Sequence, residues 1–240
     1  MGENTRPMPP FTKVLVANRG EIAVRVTRTL RELGVGVVAV YSEPDRGALH
    51  VAGADEAYLL GPGPATESYL RGERIVEVAV RAGAEAIHPG YGFLAESAEF
   101  AETCAASNIT FIGPTAQQIR VMGDKAAARK AMTAVGVPIV PGTPGPVEEA
   151  EEALEYARAM GFPVIIKAAA GGGGKGMRVS RDPDDFVRAF GLARSEALSA
   201  FGNGDVYVEK YLERPRHIEF QVLGDQHGHV IHLGERDCSV

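Results

Sequence analysis

The sequence predicts an α/β fold: a doubly wound parallel sheet comes first, a compact α+β lid second, and the beginning of a further unit last. Three observations lead there. Short apolar runs alternate with helical stretches from Lys13 to Ile112, as strands joined by crossover helices do. The alternation changes at Gly113-Pro114, and the proline- and glycine-rich segment Pro138 to Pro146 opens a second unit. Beyond Leu212 only strand-like runs follow.

Lys13 to Ala17 reads as the first strand. Glu21 to Leu33 reads as an amphipathic helix, because Ile22, Val26, Leu30 and Leu33 share one face and Gly34 supplies a stop. Val35 to Tyr41 and Glu56 to Leu60 are the next strands, followed by a helix over Glu73 to Arg81 and a strand over Ala84 to His88. A helix over Ala95 to Ala106 and a short strand over Thr110 to Ile112 complete the first unit. Ala116 to Met122 and Asp124 to Ala134 form a helical connector.

The second unit begins with a helix over Val147 to Met160 and a strand that ends at Lys167. A glycine loop, a strand over Met177 to Ser180, a helix from Asp182 to about Leu198 and a strand over Val206 to Lys210 follow. His217 to Leu223 and Val230 to Glu235 pair about the turn Gly224 to Gly228. The expected division is a disordered leader over 1–12, an α/β domain over 13–113, a connector over 114–137, a lid over 138–211 and a third unit over 212–240. Two or three strands cannot bury both faces alone, so this third unit is expected to be cut inside a domain.

The chain has 240 residues, 45% of them hydrophobic, enough for real cores. A net charge of −6 gives no basic footprint for nucleic acid, although a local phosphate site is compatible with it. The polar, proline-rich stretch Met1 to Pro10 lacks the apolar segment of a secretory signal, and no run has the length of a membrane span. Cys104 and Cys238 form neither a CxxC pair nor a disulfide framework, which suits a reducing compartment. A soluble cytoplasmic protein is expected.

The candidate site centres on Lys167-Ala168-Ala169-Ala170-Gly171-Gly172-Gly173-Gly174-Lys175-Gly176-Met177, after the apolar run Pro163 to Ile166. A lysine at the end of a buried strand must find an anion or reach water. Glycines without Cβ atoms let several backbone N–H groups approach phosphate oxygens. This is not the P-loop pattern, because Gly176 stands where that motif needs Ser or Thr. A solvated glycine hairpin is the structural alternative. In the first strand–helix turn Gly20 stands alone, so the three-glycine dinucleotide fingerprint is missing and a nicotinamide-dependent dehydrogenase is disfavoured despite Glu43 near the end of the second strand.

Six segments occur in the order found in biotin carboxylases. They are Val16 to Ala23, His88-Pro89-Gly90-Tyr91-Gly92-Phe93-Leu94-Ala95-Glu96, Met122-Gly123-Asp124-Lys125, the Lys167 loop, Val208-Glu209-Lys210-Tyr211-Leu212, and Arg214-Pro215-Arg216-His217-Ile218-Glu219. From about Lys13 to Val240 the chain resembles the N-terminal half of such an enzyme, as in the biotin-carboxylase subunit of acetyl- or propionyl-CoA carboxylase or the first domain of pyruvate carboxylase.

That resemblance implies a Rossmann-like domain preceding an ATP-grasp lid and the start of a truncated C-terminal ATP-grasp unit. It also implies ATP-dependent carboxylation of biotin on a carrier protein, with bicarbonate activated as carboxyphosphate and Mg2+ or Mn2+ as cofactor. The implied partners are a biotin carboxyl carrier protein, a carboxyltransferase and, at full length, a second copy of the chain.

On this resemblance Lys125 and Lys167 contact ATP phosphates, and Gly171, Gly172, Gly173, Gly174 and Gly176, with Met177, form the lid loop. Glu209, Lys210, Tyr211 and Leu212 lie along the adenine, which the main chain of Glu209 and Leu212 reads, and His217 stands near the nucleotide. His88, Tyr91 and Gly92 approach the biotin and bicarbonate region. Each has a plainer reading: a solvated charge capped by Asp124 for Lys125, an edge strand for Val206 to Leu212, a structural hydrogen-bonder for His217 and a tight Pro-Gly turn for the His88 loop.

The resemblance places the metal carboxylates and catalytic arginines beyond Val240, so no residue is assigned a catalytic or metal role and the chain alone is expected not to turn over. Glu235 and Asp237 share a strand face and are read as structural. The alternatives are another ATP-grasp ligase, such as a carbamoyl phosphate synthetase, and a noncatalytic nucleotide-binding or assembly module.

Overall fold

The computed structural model describes residues 9–169 and 176–239, which fall into two compact units meeting at Ala134/Val135. In the first unit five parallel strands take the order β3-β2-β1-β4-β5. They are β1 (Lys13–Val16), β2 (Gly36–Ser42), β3 (Glu56–Gly61), β4 (Ala86–His88) and β5 (Thr110–Phe111). The helices are α1 (Gly20–Glu32), the short α2 (Leu49–Ala52), α3 (Gly72–Ala82), α4 (Ala98–Ala106), α5 (Ala116–Gly123) and α6 (Lys125–Ala134).

Strand β1 is buried on both faces, which is why it reads as an unbroken apolar run. Val14 and Val16 pack with Ala23 and Leu30 of α1, while Leu15 packs on the other side with Ile75 and Ala79 of α3 and Phe100 of α4. The strand order reverses between β1 and β4, so the fold is doubly wound and has a crevice site outside the carboxyl ends of those two strands. Helix α1 starts one residue earlier than the sequence indicates, at Gly20, and α4 three residues later, at Ala98, where Ser97 caps it by accepting from the Phe100 amide.

Three short pieces escape sequence reasoning: α2 and the single turns Glu43–Asp45 and Ala65–Glu67. Helix α2 buries His50, whose ring is only 2% exposed. Its Nε2 lies 3.3 Å from the Val40 carbonyl, and Nδ1 has no hydrogen-bond partner among the described residues. Burial holds this imidazole below its ordinary value of 6.5, against the opposing pull of that carbonyl and of Asp45, and burial lowers His88 likewise.

Both rings therefore take up a proton at lower pH in the folded state than in the unfolded chain, which does so near the ordinary value. Their contribution is full above roughly pH 6.5 and is lost as pH falls through that value toward the depressed folded pKa values. Urea midpoints of the wild type are expected to drop between roughly pH 7.5 and 5.5, and His50→Leu to shrink the drop. An identical drop in His50→Leu would assign the effect to other groups.

The second unit has a three-stranded antiparallel sheet, β7-β6-β8, and a separate hairpin. Its elements are α7 (Ala150–Met160), β6 (Val164–Ala168), β7 (Met177–Ser180), α8 (Pro183–Phe201), β8 (Val206–Lys210), β9 (Ile218–Gly224) and β10 (Val230–Asp237). Asp182 starts α8 by accepting from the amides of Asp184 and Asp185, with Pro183 in the first turn. Val164, Ile166, Val206 and Val208 pack against Phe186, Phe190 and Ala193 of α8 and Ala153 and Ala157 of α7. In contrast, the β9–β10 hairpin leaves Phe220 60% exposed and also exposes Val222, Ile231 and Leu233. Asp237 accepts from the Ser239 amide at 3.0 Å, a structural use of that carboxylate.

Candidate functional site

The lid sheet presents two unlike faces because side chains alternate along its strands. One face is the apolar core against α7 and α8. The other carries Ile165, Lys167, Met177, Val179, Tyr207 and Glu209, brought together by the register Lys167↔Met177 on one side and Lys167↔Tyr207 on the other. Lys167 Nζ donates to Glu209 Oε2 at 2.6 Å, a charge-assisted bond between partly exposed side chains. An ammonium has three donors, so this bond orients Lys167 and leaves hydrogens for an anionic oxygen.

The loop after Lys167 is closed at its base by Gly176, whose carbonyl accepts from the Ala168 amide at 2.9 Å. Gly176 sits at φ +70°, and a Cβ there would lie 2.8 Å from the Ala168 Cβ, so only glycine fits. Gly171, Gly172, Gly173, Gly174 and Lys175 lie outside the described residues, as does the side chain of Lys125. Asp124 caps α6 as the sequence suggests, accepting from the Ala127 amide at 2.8 Å.

Glu209 is registered against Ile165 and also bridges Gly142, so its backbone belongs to the sheet while its side chain holds Lys167. Lys210 points its ammonium at the carbonyls of Gly161 (2.9 Å) and Phe162 (3.1 Å), tying β8 to the turn before β6. The Tyr211 amide donates to the Pro163 carbonyl, and the exposed Leu212 follows directly. His217 precedes β9, where its amide donates to Ser239 Oγ and its carbonyl accepts from the Cys238 amide.

In the first unit the switch point gathers His88, the last residue of β4, with Tyr91 and Gly92 on the loop that follows. The His88 Nδ1 accepts from the Gly90 amide at 3.0 Å, which places the proton of the neutral ring on Nε2. Tyr91 is 61% exposed, and its hydroxyl donates to Glu21 at the start of α1.

Sequence reasoning assigned no role to the residues that hold this crevice. Asn18, 3% exposed, donates from Nδ2 to the carbonyls of Pro89 (2.7 Å) and Tyr91 (2.8 Å) and accepts the Arg19 amide at 2.8 Å. The Arg19 guanidinium lies 5.5 Å from the Tyr69 ring centroid and 5.8 Å from that of Phe93, and it reaches Asp45 at 3.3 Å. Asp45 also accepts from Tyr69 (2.6 Å) and Ser42 (2.9 Å). Burial opposes ionisation of Asp45, but these three donors win and hold its carboxyl below the usual range. Burial and Asp45 together push the Tyr69 phenol up to about 12. A lone Asn in a strand–helix turn was the available signal, but its partners are remote in sequence.

Among the described residues no group of three or more His, Cys, Asp or Glu is arranged to hold a metal ion. No helix among them is long and apolar enough to cross a membrane.

A doubly wound α/β domain followed by a helix-backed antiparallel sheet, with Lys167 shortly before the glycine-rich segment, is the arrangement expected of an ATP-grasp chain. Residues 10–119 match the family model for the biotin carboxylase N-terminal domain, and residues 124–240 match that for the carbamoyl-phosphate synthase L chain ATP binding domain. Along nearly its whole length the chain is similar to biotin carboxylases.

A biotin carboxylase of Nostoc sp. is 56% identical over 230 residues, covering 96% of this chain and 52% of that protein. The biotin carboxylase domain of Hydrogenobacter thermophilus 2-oxoglutarate carboxylase, solved as a dimer with MgADP, ADP and bicarbonate, is 56% identical with a TM-score of 0.80. The alignment covers 96% of this chain and 51% of that one. A Campylobacter jejuni biotin carboxylase in a β,γ-ATP complex is 50% identical with a TM-score of 0.82, covering 95% of this chain and 51% of that one. The chain therefore spans about half the length of these relatives.

Proposed function

We propose that this chain supplies the nucleotide-binding lid and the first domain of a biotin carboxylase, which uses ATP and bicarbonate to carboxylate biotin on a carrier protein. The observation that carries the reading is the Lys167–Glu209 pair on the open face of the lid, one residue from the loop base that Gly176 closes. Glu209 keeps the ammonium extended over the sheet, and the glycine loop supplies backbone donors for phosphate oxygens. The main chain of Glu209 and Leu212, with Lys210 and Tyr211, lies along the adenine, and Lys125 and His217 complete the nucleotide's surroundings.

His88, Tyr91 and Gly92 form part of the biotin and bicarbonate region at the switch point. Mg2+ or Mn2+ supplies phosphate charge neutralisation when bound. The working protein is proposed to be a cytoplasmic homodimer that meets a biotin carboxyl carrier protein and a carboxyltransferase. The H. thermophilus relative, solved as a dimer with MgADP and bicarbonate, supports this reading.

Lys167→Met in the full-length protein is the test. Losing a charge-assisted contact of about 1.5–3 kcal/mol should weaken ATP binding, read by calorimetry, by roughly tenfold or more with the fold retained. Unchanged affinity would remove Lys167 from the site. The second domain also matches a carbamoyl-phosphate synthase model, which makes a ligase of that kind the competing reading. Biotin-stimulated ADP release separates them, and its absence would favour the competitor.

A further inference from the structure

We infer that Asn18 is a positioning residue: it holds the His88–Gly92 loop in the shape that sets Tyr91 toward the biotin-side substrate. The inference rests on the proposed function for the identity of that substrate. The geometry rests on the first unit alone.

The loop is unusual in its backbone. Gly90, Gly92 and the non-glycine Phe93 all have positive φ, at +66°, +67° and +44°. A phenylalanine rarely adopts that conformation, and such outliers persist only where surroundings over-determine them. Here two restraints act. Phe93 stacks on Tyr69 with ring centroids 5.2 Å apart, and Arg19 lies over both rings. The backbone between His88 and Phe93 is tied by Asn18, whose amide spends both N–H groups on the Pro89 and Tyr91 carbonyls and its oxygen on the Arg19 amide.

Every part of the Asn18 amide is thus engaged, and the close packing of Gly90 on it leaves no space for a Cβ: one built there would lie 2.8 Å from Nδ2. The exposed Tyr91 side chain donates through its hydroxyl to Glu21, while its main chain is held by the carbonyl that Asn18 grips. Misplacement of a substrate-contacting group by even ~1 Å costs large factors in rate or affinity, which gives a buried amide in this crevice a functional consequence.

Asn18→Asp is nearly isosteric but turns a donor into an oxygen that faces two carbonyl oxygens. In this chain, exchange of the Gly90 and Ala95 amides is expected to rise by roughly tenfold or more while amides of α3 keep their protection. In the full-length enzyme, KM for biotin should rise by about tenfold or more, with KM for ATP within about twofold of wild type.

Unchanged loop exchange, or loop release with an unaltered biotin KM in an enzyme that shows biotin-dependent turnover, would overturn the inference. A wild type without any biotin-dependent turnover would instead overturn the proposed function. Asn18→Ala, which removes the donors without adding charge, provides the same comparison if the aspartate variant does not fold. Failure of both to fold would make Asn18 a requirement of the domain and refute its assignment to the loop.

Discussion

Phe186→Ala is expected to cost the second unit about 3–5 kcal/mol, a large share of the roughly 5–15 kcal/mol that stabilises a domain. The ring is fully buried, edge-on to Phe162 at 6.2 Å and tilted against Phe190 at 6.0 Å, under the sheet residues Val164, Ile166, Val206 and Val208. Truncation leaves a cavity that helix and sheet cannot both close. Because the same sheet carries Lys167 and Glu209 on its other face, nucleotide binding should fall together with the folded fraction.

Val187, next on α8 and 46% exposed, is the control, with Val187→Ala expected within about 0.5 kcal/mol of wild type. Hydrogen exchange of the β6 and β8 amides measures both variants. A loss below about 1 kcal/mol for Phe186→Ala would mean that this core is not what holds the sheet.

Gly176→Ala should produce the second large effect. The left-handed conformation at φ +70° costs a residue with a Cβ about 1–2 kcal/mol, and forcing that Cβ against Ala168 at 2.8 Å adds an overpacking cost of about 1–3 kcal/mol. The contact is with a β-carbon fixed to a paired strand, so it cannot be relieved by rotating a side chain. The expected result is a weaker base for the loop between β6 and β7, lower urea resistance of the lid and weaker ATP binding. Wild-type stability together with wild-type affinity in this variant would show that the loop base tolerates another shape.

Much of the fold was legible because its signals are local. The apolar run Val14 to Val16 and the one-sided spacing of Ile22, Val26 and Leu30 follow from neighbouring residues and elementary periodicity. Elements with weak local signals were missed: α2 has four residues, and its helical shape is fixed by burying His50 beneath β2. Lys167 was recognisable as a candidate since a cation closing a buried strand demands a partner. Its partner, the Glu209 side chain, was not, because the pairing depends on the register between β6 and β8.

The same division holds at the switch point. Glu43 drew attention as the acid after β2, but Asp45 is the carboxylate that gathers Arg19, Ser42 and Tyr69. His88, Tyr91 and Gly92 stand out in a distinctive segment, whereas Asn18 is a single ordinary letter whose partners are reached only when β1 and β4 lie side by side. By itself the sequence determined the order of the main strands and helices, which depends on short-range patterning. The tertiary structure alone decided which carboxylate holds Lys167 and which amide holds the Tyr91 loop, because hydrogen bonds of about 3 Å require a register that residue spacing along the chain does not encode.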